Sequence, residues 1–230
     1  MRTFADLGIR PPAEERATQE RMAALARQAG LSLVGLRFRC ETPTGKIESS
    51  AKIFHNAGLD VAIGVDISPT SRKQLLGQLR ALRERFDFVA VRSADARTLA
   101  VASRDSRVDL VSLEPQKSFR LKQSILKTCK SALELELSRV LRSSHEATYE
   151  SLKAFCFEIE MANRFHVNVI LSSGATEPLA LRAPRDIASV AVSLGLPPDT
   201  ALDAVSSMPL SLIKRSREQS LRRWPRKRLD

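Results

Sequence analysis

Short apolar runs alternate with amphipathic stretches of helix length along almost the whole of this 230-residue chain. Alternation of that kind builds strand–helix units, and strands joined by crossover helices lie parallel in one sheet. The runs fall at Phe4–Arg10, Leu31–Phe38, Val61–Ile67, Phe88–Arg92, Val108–Leu113, Leu133–Leu137 and Val167–Leu171. Between them, helices are expected over Ala13–Ala29, Ser71–Phe86, Ala94–Ser103, Phe119–Cys129 and His145–Phe165, with a shorter one near Ile47–Asn56. Glu14 and Glu15 fall in the first turn of the first helix, where acidic side chains suit the dipole, and Gly30 follows its end. Leu75, Leu79 and Leu82 mark the inner face of one helix; Tyr149, Leu152, Cys156 and Ile159 mark that of the longest. Three more helices are expected near Pro184–Leu194, Pro198–Ser206 and Pro209–Leu221. No Gly-rich phosphate loop follows the first strand, which favours a closed barrel over a dinucleotide-binding sheet. The expectation is α/β: a TIM-barrel-like (β/α) barrel of about seven strands with extra C-terminal helices. Residues 1–213 form one domain, and 214–230 a basic C-terminal extension.

Apolar residues make up 43% of the chain, enough for a sizeable core and too many for a disordered protein. Cys40, Cys129 and Cys156 are odd in number and lack CxxC spacing, which predicts reduced, buried thiols without a zinc site. The N-terminus has no apolar signal region, and no run is long enough to cross a bilayer. A soluble, cytoplasmic protein is expected.

The net charge of +11 is unevenly spread. Lys214, Arg215, Arg217, Arg222, Arg223, Arg226, Lys227 and Arg228 face only Glu218 and Asp230, so more than half of the excess lies in the last 17 residues. A concentrated basic end points to a polyanion, most often nucleic acid. The plainer alternative is a solvated tail. A membrane surface is disfavoured, because Leu212, Ile213, Leu221 and Trp224 give the tail little apolar area. Aromatic residues are only 5% of the chain, so base-stacking platforms are not expected and recognition should be of backbone and shape.

Few side chains suggest chemistry of their own. Ser172 and Ser173 have no histidine near them in sequence and no G-x-S-x-G context. His55, His145 and His166 are widely separated and read as structural or surface residues. Glu134 and Glu136 share one strand face, as acid/base pairs sometimes do; pairing with arginines at a barrel mouth is the preferred reading. Arg182 and Arg185 stand at a helix start opened by Pro184, near the strand's rim. Arg182 also lies four residues before Asp186, so an intramolecular salt bridge competes with an anion-facing role.

The segment from Val167 to Met208 carries the most information. It runs Val167-Asn168-Val169-Ile170-Leu171, Ser172-Ser173-Gly174-Ala175, then Leu181-Arg182-Ala183-Pro184-Arg185-Asp186 and Ala204-Val205-Ser206. In order and spacing it resembles the ribonuclease P protein component 3 family, the roughly thirty-kilodalton subunit of the archaeal and eukaryotic enzyme. Arg107-Val108-Asp109-Leu110-Val111-Ser112-Leu113 and Ala132-Leu133-Glu134-Leu135-Glu136-Leu137-Ser138 extend the resemblance to most of residues 4–215.

That resemblance implies a subunit of the enzyme that removes the 5′ leader from precursor tRNA. It implies catalytic groups and Mg²⁺ on the ribonuclease P RNA, none bound by the protein. It implies a pairing with ribonuclease P protein component 2 and contact with other ribonuclease P subunits. Its fold is similar to metal-dependent phosphoesterase barrels that open with Asp-Leu-His-x-His, histidines alternating on one strand face to share a metal. Here the comparable stretch is Asp6-Leu7-Gly8-Ile9, without either histidine. No catalytic and no metal residue is therefore assigned. The RNA-binding candidates are Arg92, Arg97, Lys122, Arg182, Arg185, Lys214, Arg215, Arg222, Arg223, Arg226, Lys227 and Arg228. Two departures stand out: Ser143-Ser144-His145-Glu146-Ala147-Thr148 replaces a usually arginine-rich stretch, and the basic tail is not a constant feature. A stand-alone metal-dependent phosphoesterase and an RNA-binding scaffold outside ribonuclease P are the alternatives.

Overall fold

The computed structural model describes residues 2–113, 123–141 and 145–223. Its strands are β1 (Phe4–Ile9), β2 (Leu31–Arg39), β3 (Asp60–Ile67), β4 (Phe88–Ser93), β5 (Leu110–Leu113), β6 (Ala132–Glu136) and β7 (Val169–Ser172). All neighbours are parallel and follow chain order. Helices return the chain after each strand: α1 (Arg16–Gln28), α2 (Thr44–Asn56), α3 (Arg72–Leu82), α4 (Ala96–Ala102), α5 (Gln123–Leu126), then α6 (Ser138–Leu141) with α7 (His145–Phe165). Three further helices, α8 (Pro184–Ser193), α9 (Pro198–Ala204) and α10 (Ser207–Arg223), complete the chain. β1 is buried throughout and β2 nearly so, because both faces of a barrel strand meet protein.

Seven strands close less completely than eight. No strand ladder joins β7 to β1 among the described residues. The seam is bridged instead by Arg10 N–H donating to the Ala175 carbonyl at 2.8 Å, and by Ser173 N–H reaching the Asp6 carboxylate at 3.3 Å.

The barrel interior is filled by Ala5, Leu7, Leu33, Ala62, Phe88, Ala90, Leu110, Ala132 and Ile170, with Leu212 and Ile213 of α10 added to the same cluster. α10 crosses the N-terminal ends of the strands. Arg217 pairs there with Asp60, which opens β3, at 2.8 Å, and the Ser216 hydroxyl donates to the carbonyl of Asp87, just before β4. One end of the barrel is thus shut by the C-terminal helix. The other end is the mouth.

Several expectations need correction. α1 starts at Arg16, not Ala13, leaving no acidic residue in its first turn; Glu14 pairs with Lys46 and Glu15 accepts from the Thr18 hydroxyl. α2 begins at Thr44, directly after Pro43, three residues earlier than expected. α6 has no counterpart in the expected elements. The buried face of α7 is rotated: Ser151, Phe155, Glu158, Ile159 and Ala162 point inward, while Tyr149 is 64% exposed and Cys156 is exposed too. On this inner face Glu158 pairs with Arg139 at 3.1 Å, and the Arg139 guanidinium lies 4.6 Å from the Phe155 ring. α10 runs unbroken from Ser207 through Lys214 and Arg215 to Arg223.

Candidate functional site

The C-terminal ends of the strands deliver a ring of charge to the mouth. Arg37 of β2 is fully buried and holds Glu134 of β6 with hydrogen bonds of 3.0, 3.0 and 2.6 Å. The Ser172 hydroxyl donates to the same carboxylate at 2.7 Å. One layer further out, Arg10 bridges Asp66 of β3, at 2.6 Å, and Glu136 of β6. Arg92 of β4 also pairs with Glu136, and Ser138 donates to it at 3.2 Å. Period-two geometry explains the layering: Glu134 and Glu136 are two apart on one strand, so both point to the barrel axis. Gly174, at φ +67°, lets the chain turn directly over this cluster; a Cβ there would collide with Ser138 and Glu136.

Three guanidiniums thus meet three carboxylates, and the environments differ. Burial, reinforced by repulsion from Glu136 and opposed by Arg37, pushes the Glu134 carboxyl above its ordinary range. Burial also works against ionising Glu136, but Arg10 and Arg92 outweigh it and hold that carboxyl low. Asp66 is likewise held low, by Arg37 and Arg10 against its burial. Arg10 is desolvated, yet Asp66 and Glu136 keep it firmly protonated. Asp6 lies beneath, 2% exposed, pushed up by burial and only partly relieved by hydrogen bonds from Ser173 and Gly8.

This arrangement does not fit a metal centre. In the Asp-Leu-His-x-His pattern, Gly8 and Arg10 occupy the two histidine positions, and a Cβ at Gly8 would sit 2.7 Å from the Ser172 side chain. Glu134, Glu136 and Asp66 are already held by guanidiniums, and Asp6 by the backbone N–H groups of Gly8 and Ser173. Among the described residues no group of three or more His, Cys, Asp or Glu side chains is placed to hold a metal ion. Ser172 and Ser173 are fully buried and spend their polar atoms on Glu134, Asp6 and Ala175, so neither is an available nucleophile.

The glutamate–arginine pairing is as the sequence suggested; the partners Arg10 and Arg37 were not singled out. Their only signal was a charged residue at the end of an otherwise apolar strand. Of the RNA-binding candidates, Arg92 reaches the mouth, 31% exposed and paired with Glu136. Arg97 is exposed in the first turn of α4. Arg182 is half-buried and donates to the carbonyls of Leu181, at 2.8 Å, and Leu179. No ion pair joins it to Asp186 among the described residues. Arg185 is exposed with its guanidinium 5.3 Å from the ring of Phe4, which opens β1, so it lies away from the mouth. Lys214 and Arg215 are exposed on α10, at the opposite end. Arg222 and Arg223 end α10; Lys122, Arg226, Lys227 and Arg228 lie outside the described residues.

Fold and site together define a seven-stranded parallel α/β barrel with a buried arginine–carboxylate network at its mouth. Among solved structures it is similar to a chain in the cryo-EM structure of archaeal ribonuclease P with mature tRNA, TM-score 0.80 at 18% identity, covering 98% of this chain and 96% of that one. The histidinol phosphate phosphatase of Lactococcus lactis, solved with zinc, L-histidinol and phosphate, shares the fold more loosely, TM-score 0.55 at 13% identity over 85% of this chain and 95% of that one. In sequence, the family model for RNase P subunit p30 matches residues 3–221, and the chain belongs to that family. Among curated relatives, ribonuclease P protein component 3 of Methanococcoides burtonii is 25% identical, covering 94% of this chain and 89% of its own. That of Methanosarcina barkeri is also 25% identical, covering 93% and 90%.

Proposed function

We propose that this chain serves ribonuclease P as a protein subunit that carries no catalytic group, binding and charge-neutralising RNA while the enzyme removes the 5′ leader of precursor tRNA. The observation that carries the reading is the mouth: Arg10 stands where the metal-binding strand pattern has its second histidine, and Arg10, Arg37 and Arg92 are each bound to a carboxylate. In this reading Mg²⁺ sits on the ribonuclease P RNA, coordinated by phosphates, and a metal-bound water attacks the scissile bond. The protein supplies fixed cations that reduce repulsion between crowded RNA helices, so the active RNA shape forms at lower Mg²⁺. Ribonuclease P protein component 2 and the other protein subunits are its partners. No helix among the described residues is long and apolar enough to cross a membrane, and a cytoplasmic location is part of the proposal.

Reconstitution tests it. Cognate ribonuclease P RNA is assayed for precursor-tRNA cleavage across a magnesium series, with component 2 alone and with both proteins. Adding this chain should lower the magnesium requirement or raise the rate. An unchanged profile, or cleavage by the purified chain with divalent metal and no RNA subunit, would overturn the proposal.

A further inference from the structure

We propose that the arc of the mouth above β2, β3 and β4 is a docking surface for the phosphate backbone of RNA, formed by Arg39, Arg72 and Lys73 together with Arg92 and Arg97. The inference rests on the ribonuclease P reading and deepens it by assigning a face. Strand register brings the five cations to one edge. Arg39 ends β2 opposite Asp66 of β3, and Asp66 lies opposite Ala90 of β4, two residues before Arg92. α3 and α4 open at the same edge, just past the ends of β3 and β4, with Arg72 and Lys73 in the first turn of one and Arg97 in that of the other. Arg39, Arg72, Lys73 and Arg97 are all exposed.

The helix dipoles do not account for the placement. Neither helix has an acidic residue in its first turn, and a cation there faces the positive end of the helix dipole, which disfavours it. At the opposite face the reverse holds: Arg27, Arg80 and Arg164 stand in last turns, where the dipole favours them. Asp95 and Glu41 attract Arg97 and Arg39 through space, but the hydrogen bonds of the nearby carboxylates go to other groups. Asp95 accepts from the backbone of Arg97 and Thr98 and from the Thr98 hydroxyl, Asp66 is bound by Arg10, and Glu41 accepts from the Cys40 thiol. No ion pair engages Arg39, Arg72, Lys73 or Arg97 among the described residues. The side chains therefore add to one positive field along the arc, joined at Arg72 and Lys73 by the N-terminus of α3.

Arg92 gives that field an ordered member. Glu136 grips its guanidinium from the buried side while about a third of the side chain stays exposed, so less rotamer freedom is lost on meeting a phosphate. The large aromatic exposed among the described residues is Tyr149, on α7 and not on this arc. Bases have nothing to stack on here, and the contacts are to phosphates.

The test compares two triple variants of the full chain with equal loss of charge: R39Q/R72Q/K73Q on the arc, and R21Q/R27Q/R164Q on α1 and α7. Affinity for cognate ribonuclease P RNA is measured against salt. Each phosphate contact contributes about 0.7–0.9 to the log–log slope, so the arc variant should lose about 2–3 and the control less than about 0.5. Equal losses would overturn the assignment while leaving the subunit reading intact. An arc variant that keeps its RNA slope but no longer assembles with component 2 would make the arc a protein-docking face, also overturning it. A wild-type chain without salt-dependent RNA binding would topple the subunit reading itself. Thermal denaturation checks folding, and should the triple arc variant unfold, Arg72→Gln alone is read the same way, with an expected loss of about 0.7–0.9.

Discussion

Arg37 and Glu134 are both sealed from water, and each is the other's principal partner. A pair like this costs much to desolvate and is a poor source of net stability, but removing one member leaves a buried, uncompensated charge. Glu134→Gln should therefore destabilise the fold by about 3–5 kcal/mol. Arg37→Met combined with Glu134→Leu should cost far less than that single change. Urea unfolding of the two variants beside the unaltered chain checks both statements; a double variant that loses as much as Glu134→Gln or more would mean the two side chains are not energetically a pair. Glu136 gives a pH signature. Its carboxyl is held low in the folded chain by Arg10 and Arg92, whereas an unfolded glutamate protonates near about pH 4.3. As pH falls through that value the unfolded chain takes up a proton first, so stability present at neutral pH is lost toward acid. Glu136→Gln should flatten this acid limb of the stability profile, and an unchanged slope below about pH 4.3 would refute the account.

At the scale of elements, α10 is the unusual piece: a basic helix whose inner face seals a barrel. Leu212 and Ile213 are 5% and 1% exposed and join the interior cluster. Truncating either to Ala should cost about 2–5 kcal/mol, measured as a loss of melting temperature. A cost under about 1 kcal/mol would show α10 to be peripheral. The helix itself was legible, since apolar residues recur at helical spacing from Pro209 to Leu221. Its role was not, because Lys214, Arg215 and Arg217 dominated the reading and Arg217 in fact anchors to Asp60. The seven strands were visible as apolar runs because a strand buried on both faces has nothing polar to interrupt it. The mouth was half legible for the same reason. Glu134 and Glu136 stood out against an apolar strand, whereas their partners come from 97 and 126 residues away for Arg37 and Arg10, a separation that local pattern does not encode. The inner face of α7 was misread because a polar residue, Glu158, lies inside it and the aromatic Tyr149 lies outside.

Across the whole molecule, cations occupy both ends of the barrel, and the two ends are built differently. At the mouth Arg10, Arg37 and Arg92 are fixed by carboxylates, and the exposed cations of the arc are rooted on strand and helix ends whose backbone is set by the barrel. At the far end Lys214 and Arg215 stand on α10, and the sequence beyond adds Arg222, Arg223, Arg226, Lys227 and Arg228 without a matching set of acids. Rigid cations select a geometry of phosphates, because each must find its partner at a set position; cations along a basic terminal run act chiefly by lowering the electrostatic free energy of any nearby polyanion. The division predicts different consequences for affinity and for catalysis. Removing residues 222–230 should weaken binding to ribonuclease P RNA and lower the log–log salt slope by at least about 2. At saturating protein, though, the rate of precursor-tRNA cleavage should stay close to that of the full chain. The arc variant should lose rate even when saturating, since a bound but misplaced RNA still lacks its fixed counter-charges. Binding and single-turnover cleavage measured on the same two proteins separate the cases. A truncation that leaves the salt slope unchanged would return the tail to a solubilising role, and one that lowers the saturated rate as much as the arc variant does would erase the distinction between the two ends.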